Sequence, residues 1–361
     1  MLNDKLPAPA TLPLGQRPPA ADYDVALLDL DGVVYSGRGA IPGAVEALGA
    51  ARAGGMRLAF VTNNASRSPS AVAAHLTSLG VPATQADVVT SAQAAASLIA
   101  SRVPPGSPVL VAGAIGLRLA LRACGLRPVS VAADRPVAVV QGYAPDLSYG
   151  LLAEAMMAVR DGALFVAANA DATLPSPRGL QPGNGSLVQV IVHATGVQPI
   201  VAGKPEPPLH HEAMKRTSAR RPLVVGDRLD TDIEGAANGN ADAMFVLTGV
   251  STPRELVLAT PARRPTYIAA DLGGLLVPQP VVGPVRSGTS QASGESARVL
   301  RCGGWTASRP DSGPLELAGD GDPVDGLRAL CAVAWSDPQV TPELIEVALG
   351  ALEISLKSHA R

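Results

Sequence analysis

Residues 26–37 read ALLDLDGVVYSG and place two aspartates, Asp29 and Asp31, directly after a run of apolar residues. Residues 25–28 are apolar without alternation, which is typical of a strand buried on both faces of a parallel sheet. A carboxylate at the end of such a strand loses water, and its burial is costly unless a partner compensates the charge. Because two neighbouring carboxylates also repel each other, the stretch predicts a cationic group beside them.

The rest of the chain alternates short apolar stretches with alanine-rich stretches of helical periodicity. This alternation predicts an α/β protein with a doubly wound, parallel, Rossmann-like sheet and right-handed crossovers. The predicted strands cover residues 24–29, 57–61, 109–112, 137–141, 163–167, 222–225 and 243–247. The predicted helices cover residues 43–53, 70–79, 92–102, 116–123, 149–160, 185–195 and 209–220. Beyond residue 295 we predict strands near Val299 and Leu315 and helices at 323–334 and 342–356, and we recognise no motif.

Polar side chains follow several of the predicted strands. Thr62 and Asn63 follow the second strand, and Asp227 follows the sixth, with Asp232 on the next turn. Lys204 lies in the segment VAGKPEPP, just before a predicted helix. Because open parallel sheets bind ligands at the carboxyl ends of their strands, we expect these side chains to gather in one site at one rim of the sheet.

Spacing along the chain predicts a second domain inserted into the first, because the 33 residues from Asp29 to Thr62 suit one strand–helix–strand step. The 23 residues from Lys204 to Asp227 likewise suit one helix, whereas the 142 from Thr62 to Lys204 are several times too many for one crossover. Residues 276–294 turn rich in Pro, Gly and Ser, which predicts a linker. The predicted domains are a flexible tail at 1–21, a core at 22–104 and 198–279, an inserted domain at 105–197, a linker at 280–294 and a C-terminal extension at 295–361.

These residue types together suit phosphoryl transfer. Asp29, Asp31 and Asp227 can hold Mg²⁺, since this ion takes oxygen ligands, keeps several waters and needs only two carboxylates and a backbone carbonyl. The compact ammonium of Lys204 suits a phosphate or an aspartyl phosphate. Thr62 can donate its hydroxyl to a phosphate oxygen, and the backbone N–H groups that follow can do likewise. The set predicts phosphoryl transfer through an aspartyl phosphate.

Four segments, DLDGV, VTNN, GKP and GDRLDTDI, resemble in this order the four motifs of the haloacid dehalogenase superfamily of phosphatases. The long insert between the second and third segments resembles the C2-type cap. Similar enzymes include 4-nitrophenyl-phosphatase-like, phosphoglycolate and glycerol-3-phosphate phosphatases. The resemblance covers residues 22–279, and it implies a hydrolase core, a cap domain at 105–197, Mg²⁺ as cofactor and a small phosphorylated metabolite as substrate.

The resemblance also implies catalytic roles for individual residues. Asp29 becomes the nucleophile that is phosphorylated. Asp31 becomes the acid/base that protonates the leaving alkoxide and then activates water. Thr62, Asn63 and Lys204 become the residues that bind the phosphoryl group.

A metal site is implied in the same way. Mg²⁺ would bind Asp29, the backbone carbonyl of Asp31, and Asp227, while Asp232 would support these ligands from behind. The cation expected beside the two aspartates would then be Mg²⁺ together with Lys204.

Asp31 and the cap limit the range of substrates that we expect. A halide leaves without a proton whereas an alkoxide needs one, so Asp31 favours phosphate ester hydrolysis over C–halogen cleavage. In similar enzymes the loop that bears Asn169 and Asp171 faces the active site and selects the substrate. Both side chains suit hydroxyl groups, which favours glycerol 3-phosphate. Phosphoglycolate, whose carboxylate Asp171 would repel unless Arg178 compensates, is an alternative, as are a sugar phosphate, pyridoxal phosphate and a nucleotide.

Some of these residues also have purely structural interpretations. Thr62 can cap a helix that begins near Ser68, and Asn169 and Asp171 belong to residue types that favour turns. The pair His210–His211 suggests a metal site, but adjacent residues on a helix point apart, so we expect the pair at the surface.

Two other functional classes use similar features. A phospho-accepting receiver domain also uses Asp, Mg²⁺, Thr and Lys, but its acid pair comes first and its lysine last, whereas here Asp227 follows Lys204. A regulatory or binding protein that retains the fold would have lost Asp29 or Asp31, and both are present. The C-terminal extension is the segment where a non-enzymatic role would lie.

Composition argues against other classes of protein. The net charge is −2 and only 3% of residues are aromatic, so we expect neither a nucleic-acid nor a membrane partner. No run of about 18 apolar residues occurs, and the Pro-rich start does not resemble a signal peptide. Cys124, Cys302 and Cys331 form neither a metal motif nor a disulfide framework, so we expect small buried thiols and a cytoplasmic location. Oligomeric state stays open, although caps of this type often contribute to dimer contacts in similar enzymes.

Overall fold

The computed structural model describes residues 16–176, 178–285, 298–310 and 313–359 of the chain. The predicted tail and the predicted linker therefore lie partly outside the described residues, at 1–15 and 286–294. The strands are β1 (Val25–Leu28), β2 (Tyr35–Ser36), β3 (Gly39–Ala40), β4 (Arg57–Thr62), β5 (Val88–Thr90), β6 (Pro108–Ala112), β7 (Arg127–Val129), β8 (Ala138–Gln141), β9 (Leu164–Ala167), β10 (Thr173–Ser176), β11 (Gly179–Pro182), β12 (Ile200–Val201), β13 (Pro222–Gly226), β14 (Asp242–Val246), β15 (Tyr267–Ala269), β16 (Gly283–Pro284), β17 (Arg298–Cys302), β18 (Trp305–Arg309) and β19 (Glu316–Gly319).

The helices are α1 (Pro19–Asp22), α2 (Ala44–Ala53), α3 (Pro69–Ser78), α4 (Ser91–Ala100), α5 (Ile115–Ala123), α6 (Tyr149–Arg160), α7 (Asn184–Thr195), α8 (Pro207–Thr217), α9 (Glu234–Asn238), α10 (Pro253–Val257), α11 (Pro323–Trp335) and α12 (Pro342–His359). Short 3₁₀ and π turns connect several of these elements. Within the described ranges, none of the helices is both long and apolar enough to cross a bilayer.

Six strands form a sheet in the order β15-β14-β13-β1-β4-β5. The pairs β13–β14, β14–β15 and β4–β5 are parallel. Strand β1 has a neighbour on each edge, and all four of its residues are buried, which explains its uninterrupted apolar sequence. The predicted doubly wound α/β fold is confirmed.

A second sheet has the order β12-β9-β8-β6-β7, and each of its strand pairs is parallel. Helices α6 and α7 pack against each other, and both contribute to an apolar cluster that includes Leu110, Val139, Phe165 and Ile191. The strands of this sheet lie between residues 108 and 201. They overlap the inserted domain predicted at 105–197, and the boundaries of that domain stay a prediction.

The described chain divides into two compact units. The first comprises residues before Leu27, Asp31–Met56, and Leu223 onward. It contains β13, β14 and β15 and the C-terminal elements. The second comprises Leu27–Leu30 and Arg57–Pro222, and it contains β4, β5 and the five-stranded sheet.

The C-terminal segment forms an antiparallel sheet in the order β16-β17-β18-β19. Helix α11 packs on β17 and β18. The predicted strand near Val299 corresponds to β17, and the one near Leu315 begins at Glu316 as β19, while both predicted helices are present. Strand β18 was not predicted, because only Trp305 and Ala307 in its five residues are buried.

The expectation that both histidines lie at the surface is wrong for His210. This residue is 1% exposed because α8 packs against α4, β4 and β5, and it shares the inner face of α8 with Leu209 and Ala213. His211 is exposed, as expected. Helix α8 also starts two residues earlier than predicted, at Pro207, since proline is favourable in a first helical turn.

The cysteines are free thiols, of which Cys302 and Cys331 are buried and Cys124 is half-buried. Burial raises the pKa of Cys302 to about 12, and it also raises the pKa of Cys331. Both thiols therefore stay protonated and act as small apolar side chains, as expected for two of the three.

Candidate active site

Asp29 and Asp31 follow the carboxyl end of β1, and a glycine shapes the turn behind them. Gly32 has a φ of +91°, in the left-handed region that glycine adopts most readily. Its N–H donates to the Tyr35 carbonyl at 2.8 Å. A Cβ at this position would lie 2.5 Å from Asp227 Oδ2. The glycine therefore permits both the turn and the close approach of Asp227.

Asp227 follows β13 and is fully buried. Its Oδ2 accepts the Val250 N–H at 2.7 Å, and a Cβ at Gly249 would lie 1.9 Å from the same oxygen. Gly32 and Gly249 thus keep a space beside this carboxylate that side chains would fill. Thr248 donates its hydroxyl to the Gly32 carbonyl at 2.6 Å. Sequence reasoning missed Thr248 and Gly249, although their position just after a core strand was a signal for them.

Asp232 is also buried and lies on the helical turn Leu229–Ile233. Its Oδ2 accepts the Arg228 N–H at 3.2 Å. A carboxylate oxygen of Asp232 lies within 4.8 Å of a carboxylate oxygen of Asp227. Carboxylates this close repel one another unless a cation is present, and an all-oxygen donor set suits Mg²⁺.

Lys204 supplies a fixed positive charge beside Asp29. The lysine is 3% exposed, and Nζ donates to Asp29 Oδ1 at 2.5 Å and to the Val61 carbonyl at 3.5 Å. A buried ammonium is stable only when a counter-charge and hydrogen bonds replace its hydration. The structure therefore places next to Asp29 a cation of the kind that the sequence predicts.

Thr62 is the last residue of β4, and its hydroxyl accepts the Asn64 N–H at 3.1 Å. That bond does not use the hydroxyl proton, which can therefore be donated to an anion. The helix that follows is capped by Ser68, whose Oγ accepts the Ala71 N–H at 3.2 Å. The interpretation of Thr62 as a helix cap is therefore wrong.

Asn63, Asn169 and Asp171 form one hydrogen-bonded group. Asn169 Nδ2 donates to the Asn63 carbonyl at 2.7 Å, and Asn63 Nδ2 lies 3.3 Å from Asp171 Oδ2. The Asp171 N–H donates to Asn169 Oδ1 at 3.3 Å, which is the local turn that these residue types favour. The predicted substrate loop thus meets the residue after Thr62. Arg178 is exposed in the turn between β10 and β11.

Asp31 as a whole residue is exposed, but its carboxyl group is partly desolvated. This desolvation raises the pKa of Asp31 above its ordinary value, although a hydrogen bond from the Gly37 backbone opposes the shift. A raised pKa keeps more of the group protonated at a given pH, which suits a proton donor.

Comparison with known protein families agrees with this fold. A profile described as haloacid dehalogenase-like hydrolase matches residues 26–127, and one described as HAD-hydrolase-like matches residues 201–275. The chain belongs to the haloacid dehalogenase-like hydrolase family, which confirms the resemblance found in its four motifs. A third profile, of a GCN5-related N-acetyltransferase-like domain, matches residues 302–349.

Individual relatives cover most of the chain. A D-glycerol 3-phosphate phosphatase of Mycobacterium tuberculosis is 47% identical over 316 residues, which are 88% of this chain and 87% of the relative. A crystal structure of glycerol phosphate phosphatase from Mycobacterium tuberculosis, in complex with magnesium, has a TM-score of 0.82 at 43% identity and covers 94% of this chain and 99% of its own. An acid sugar phosphatase of Staphylococcus saprophyticus is 38% identical over 71% of this chain and 97% of the relative.

Proposed function

We propose that the protein is a Mg²⁺-dependent phosphatase that hydrolyses glycerol 3-phosphate through an aspartyl phosphate on Asp29. The proposal rests on the contact at the end of β1, where Nζ of the buried Lys204 is 2.5 Å from Asp29 Oδ1. The 47% identity to a D-glycerol 3-phosphate phosphatase supports the choice of substrate.

In the first half-reaction an oxygen of the Asp29 carboxylate attacks phosphorus, and the bond from phosphorus to the ester oxygen breaks. Asp31 gives its proton to the departing alkoxide, which would otherwise leave slowly as a strong base. Lys204, the hydroxyl of Thr62 and the backbone N–H of Asn63 stabilise negative charge on the phosphoryl oxygens.

In the second half-reaction Asp31 is a carboxylate and accepts a proton from a water molecule. The water oxygen attacks phosphorus, and the bond from phosphorus to the Asp29 oxygen breaks. Phosphate is released, Asp29 is again a carboxylate and Asp31 is again protonated. One residue therefore serves as acid and then as base.

The residues present fit Mg²⁺, because they offer carboxylate oxygens and because two glycines keep space beside Asp227. Asp29, the backbone carbonyl of Asp31, and Asp227 would hold the ion, and Asp232 would support them. When bound, Mg²⁺ supplies positive charge that reduces the repulsion between an anionic nucleophile and an anionic phosphate ester.

The cap and the cellular setting are part of the same proposal. Residues 105–197 would form the cap, and the loop that bears Asn169 and Asp171 would face the substrate. Asp171 would hydrogen-bond the glycerol hydroxyls, and Asn169 would support this loop. The protein would act in the cytoplasm on a small metabolite, without a nucleic-acid or membrane partner. The free thiols support a reducing compartment.

The proposal is tested by phosphate release with Mg²⁺ from a panel of esters. The panel contains glycerol 3-phosphate, phosphoglycolate, sugar phosphates, pyridoxal phosphate, nucleoside monophosphates and 4-nitrophenyl phosphate. We expect glycerol 3-phosphate to have the highest kcat/KM, Asp29→Asn to abolish turnover, and Asp161→Asn, an exposed control of the same chemistry, to leave turnover unchanged.

Two results would change the conclusion. A different ester with the highest kcat/KM would leave the reaction class intact and replace the substrate. Equal inertness of wild type and Asp29→Asn on all esters would overturn the phosphatase proposal and direct attention to a binding role for the C-terminal segment.

A further inference from the structure

We infer that Asn63 is a positioning residue that couples Lys204 to the substrate loop and thereby contributes to substrate selection; this inference rests on the proposed function. The Asn63 side chain has one acceptor oxygen and two donor hydrogens. Oδ1 accepts the Lys204 N–H at 2.8 Å, and Nδ2 donates to the Lys204 carbonyl at 3.1 Å. One side chain therefore holds both backbone polar groups of the buried lysine.

The same Nδ2 group also faces Asp171. It lies 3.4 Å from Asp171 Oδ1 and 3.3 Å from Oδ2. These distances are long for hydrogen bonds, but the carboxylate charge makes the contact favourable. Asp171 and Lys204 are thus aligned by one amide, although they contact different parts of the proposed substrate.

Other residues hold the backbone of Asn63. Its carbonyl accepts Ser91 Oγ at 2.6 Å and Asn169 Nδ2 at 2.7 Å. Asn169 is 5% exposed, and its own carbonyl accepts Asn184 Nδ2 at 2.7 Å. None of these hydrogen bonds involves the Asn63 side chain, so we expect them to persist when only that side chain is changed.

The contact between the Asn63 amide and the Lys204 backbone leaves no space for a side chain at residue 203. A Cβ at Gly203 would lie 2.6 Å from Asn63 Oδ1 and 2.7 Å from the Ala168 carbonyl. A methyl group would therefore push the Asn63 amide away from Lys204. Gly203→Ala should reproduce part of the effect of an Asn63 substitution without removing a polar group.

The experiment measures kcat/KM for glycerol 3-phosphate, which has hydroxyls for Asp171, and for 4-nitrophenyl phosphate, which has none. It uses wild type, Asn63→Asp, Asp171→Asn and the double variant. Asn63→Asp keeps an acceptor for the Lys204 N–H, but it loses the donor and turns a negative charge toward Asp171. We expect Asn63→Asp to lower the ratio of kcat/KM for glycerol 3-phosphate to kcat/KM for 4-nitrophenyl phosphate about tenfold when residue 171 is Asp. When residue 171 is Asn, we expect the same substitution to lower this ratio less than about threefold, because the effects of substituting two contacting residues are not additive.

Asn64→Asp is the matched control. Asn64 Oδ1 accepts bonds from Ser66 and Arg67, so a carboxylate keeps these bonds and adds the same charge one residue away. We expect its kcat/KM ratio to stay within about twofold of wild type, since surface charge changes are usually small in effect. A tenfold fall in this control would assign the Asn63→Asp effect to charge alone and overturn the inference.

The inference is also overturned if Asn63→Asp leaves the ratio of the two kcat/KM values unchanged. It is likewise overturned if Asn63→Asp lowers this ratio equally whether residue 171 is Asp or Asn. If circular dichroism shows that Asn63→Asp is unfolded, Gly203→Ala carries the same comparison. Affinities for inorganic phosphate and glycerol 3-phosphate, measured calorimetrically with Mg²⁺, separate the two proposals. If the wild type binds both ligands without turnover, the phosphatase proposal is disproved, and the ratio of the two affinities in wild type and Asn63→Asp still tests the role of Asn63. If the wild type binds neither ligand, both proposals are overturned.

Discussion

Lys204 shows how one buried charge constrains its neighbours. The residue is 3% exposed, and its Nζ donates to Asp29 Oδ1 at 2.5 Å. Removing one partner of a buried pair leaves the other charge uncompensated. The lysine therefore has two effects at once: it holds the proposed nucleophile in position, and it offsets the negative charge of that carboxylate.

We predict that Lys204→Met lowers kcat/KM on the preferred ester by about 10²-fold or more, because a preorganised cation next to the transferring phosphoryl group is lost. Lys215→Met is the control, since Lys215 is exposed on α8. Steady-state phosphate release measures both. Retention of activity within about threefold in Lys204→Met would show that the ion pair has no catalytic part.

Asp31→Asn tests the proton donor through the leaving group. The variant cannot protonate an alkoxide, so we predict a loss of about 10²- to 10⁴-fold on glycerol 3-phosphate. 4-Nitrophenolate is a weak base and needs little protonation, so the first step with 4-nitrophenyl phosphate should lose much less. The burst of 4-nitrophenolate in rapid-mixing experiments isolates that step. Equal losses on both esters would contradict the assignment.

At the scale of single elements, α5 and α6 each carry a glycine as their second residue, and the two positions differ in surroundings. Gly116 is buried, and a Cβ there would lie 2.4 Å from the Ala65 carbonyl. Gly150 is exposed, and the nearest atom to its Cβ would be Ser148 Oγ at 3.9 Å. The start of α5 therefore packs directly on the loop that follows Thr62, whereas the start of α6 is open.

We predict opposite effects of alanine at these positions. Gly150→Ala should stabilise the protein by up to about 1 kcal/mol, because alanine is the better helix former. Gly116→Ala should destabilise it by about 1–3 kcal/mol, because the methyl group overlaps backbone atoms that cannot move independently. Thermal unfolding compares the two variants. If Gly116→Ala instead stabilises the protein, the loop after Thr62 can move to accommodate the methyl group, and the prediction is wrong.

At the scale of the whole molecule, the C-terminal segment is joined to elements of the first compact unit by buried polar contacts. Arg328 pairs with Asp325 at 2.5 Å, and its Nε donates to the Ile268 carbonyl at 3.1 Å. Trp335 Nε1 donates to the Leu256 carbonyl at 3.1 Å. These bonds satisfy groups that would otherwise be buried without partners, so the segment is an integral part of that unit.

We predict that Arg328→Met lowers the free energy of unfolding by about 3–5 kcal/mol, since Asp325 is left as a buried, uncompensated charge. Arg254→Met is the control: Arg254 also reaches the C-terminal segment, but its pair with Glu346 is about half exposed on both sides and should be worth at most about 1 kcal/mol. Both tryptophans of the chain lie in this segment, so their fluorescence follows its unfolding in urea. Equal losses in the two variants would contradict the importance of burial.

Much of the fold could be predicted, because apolar runs and helical periodicity are local patterns that indicate strands and helices. The apolar run before Asp29 indicates an inner strand, and each predicted strand and helix corresponds to an observed one within a few residues. Short elements such as β5 and the hairpin β10–β11 were missed, because three or four residues do not establish a period. The burial of His210 was missed for a different reason, since it depends on the packing of α8 against α4, β4 and β5.

The sequence by itself determined the fold class, the order of the four motifs and the residue types at the ends of the core strands, because these follow from periodicity and from the direction of parallel strands. Only the tertiary structure decided which side chains meet. Asn63 contacts Asp171 and Lys204, which lie 108 and 141 residues away along the chain. Gly32, Gly203 and Gly249 are required by atoms that pack against them from distant segments. Such contacts depend on how the chain returns to the sheet, and no local pattern in the sequence encodes that return.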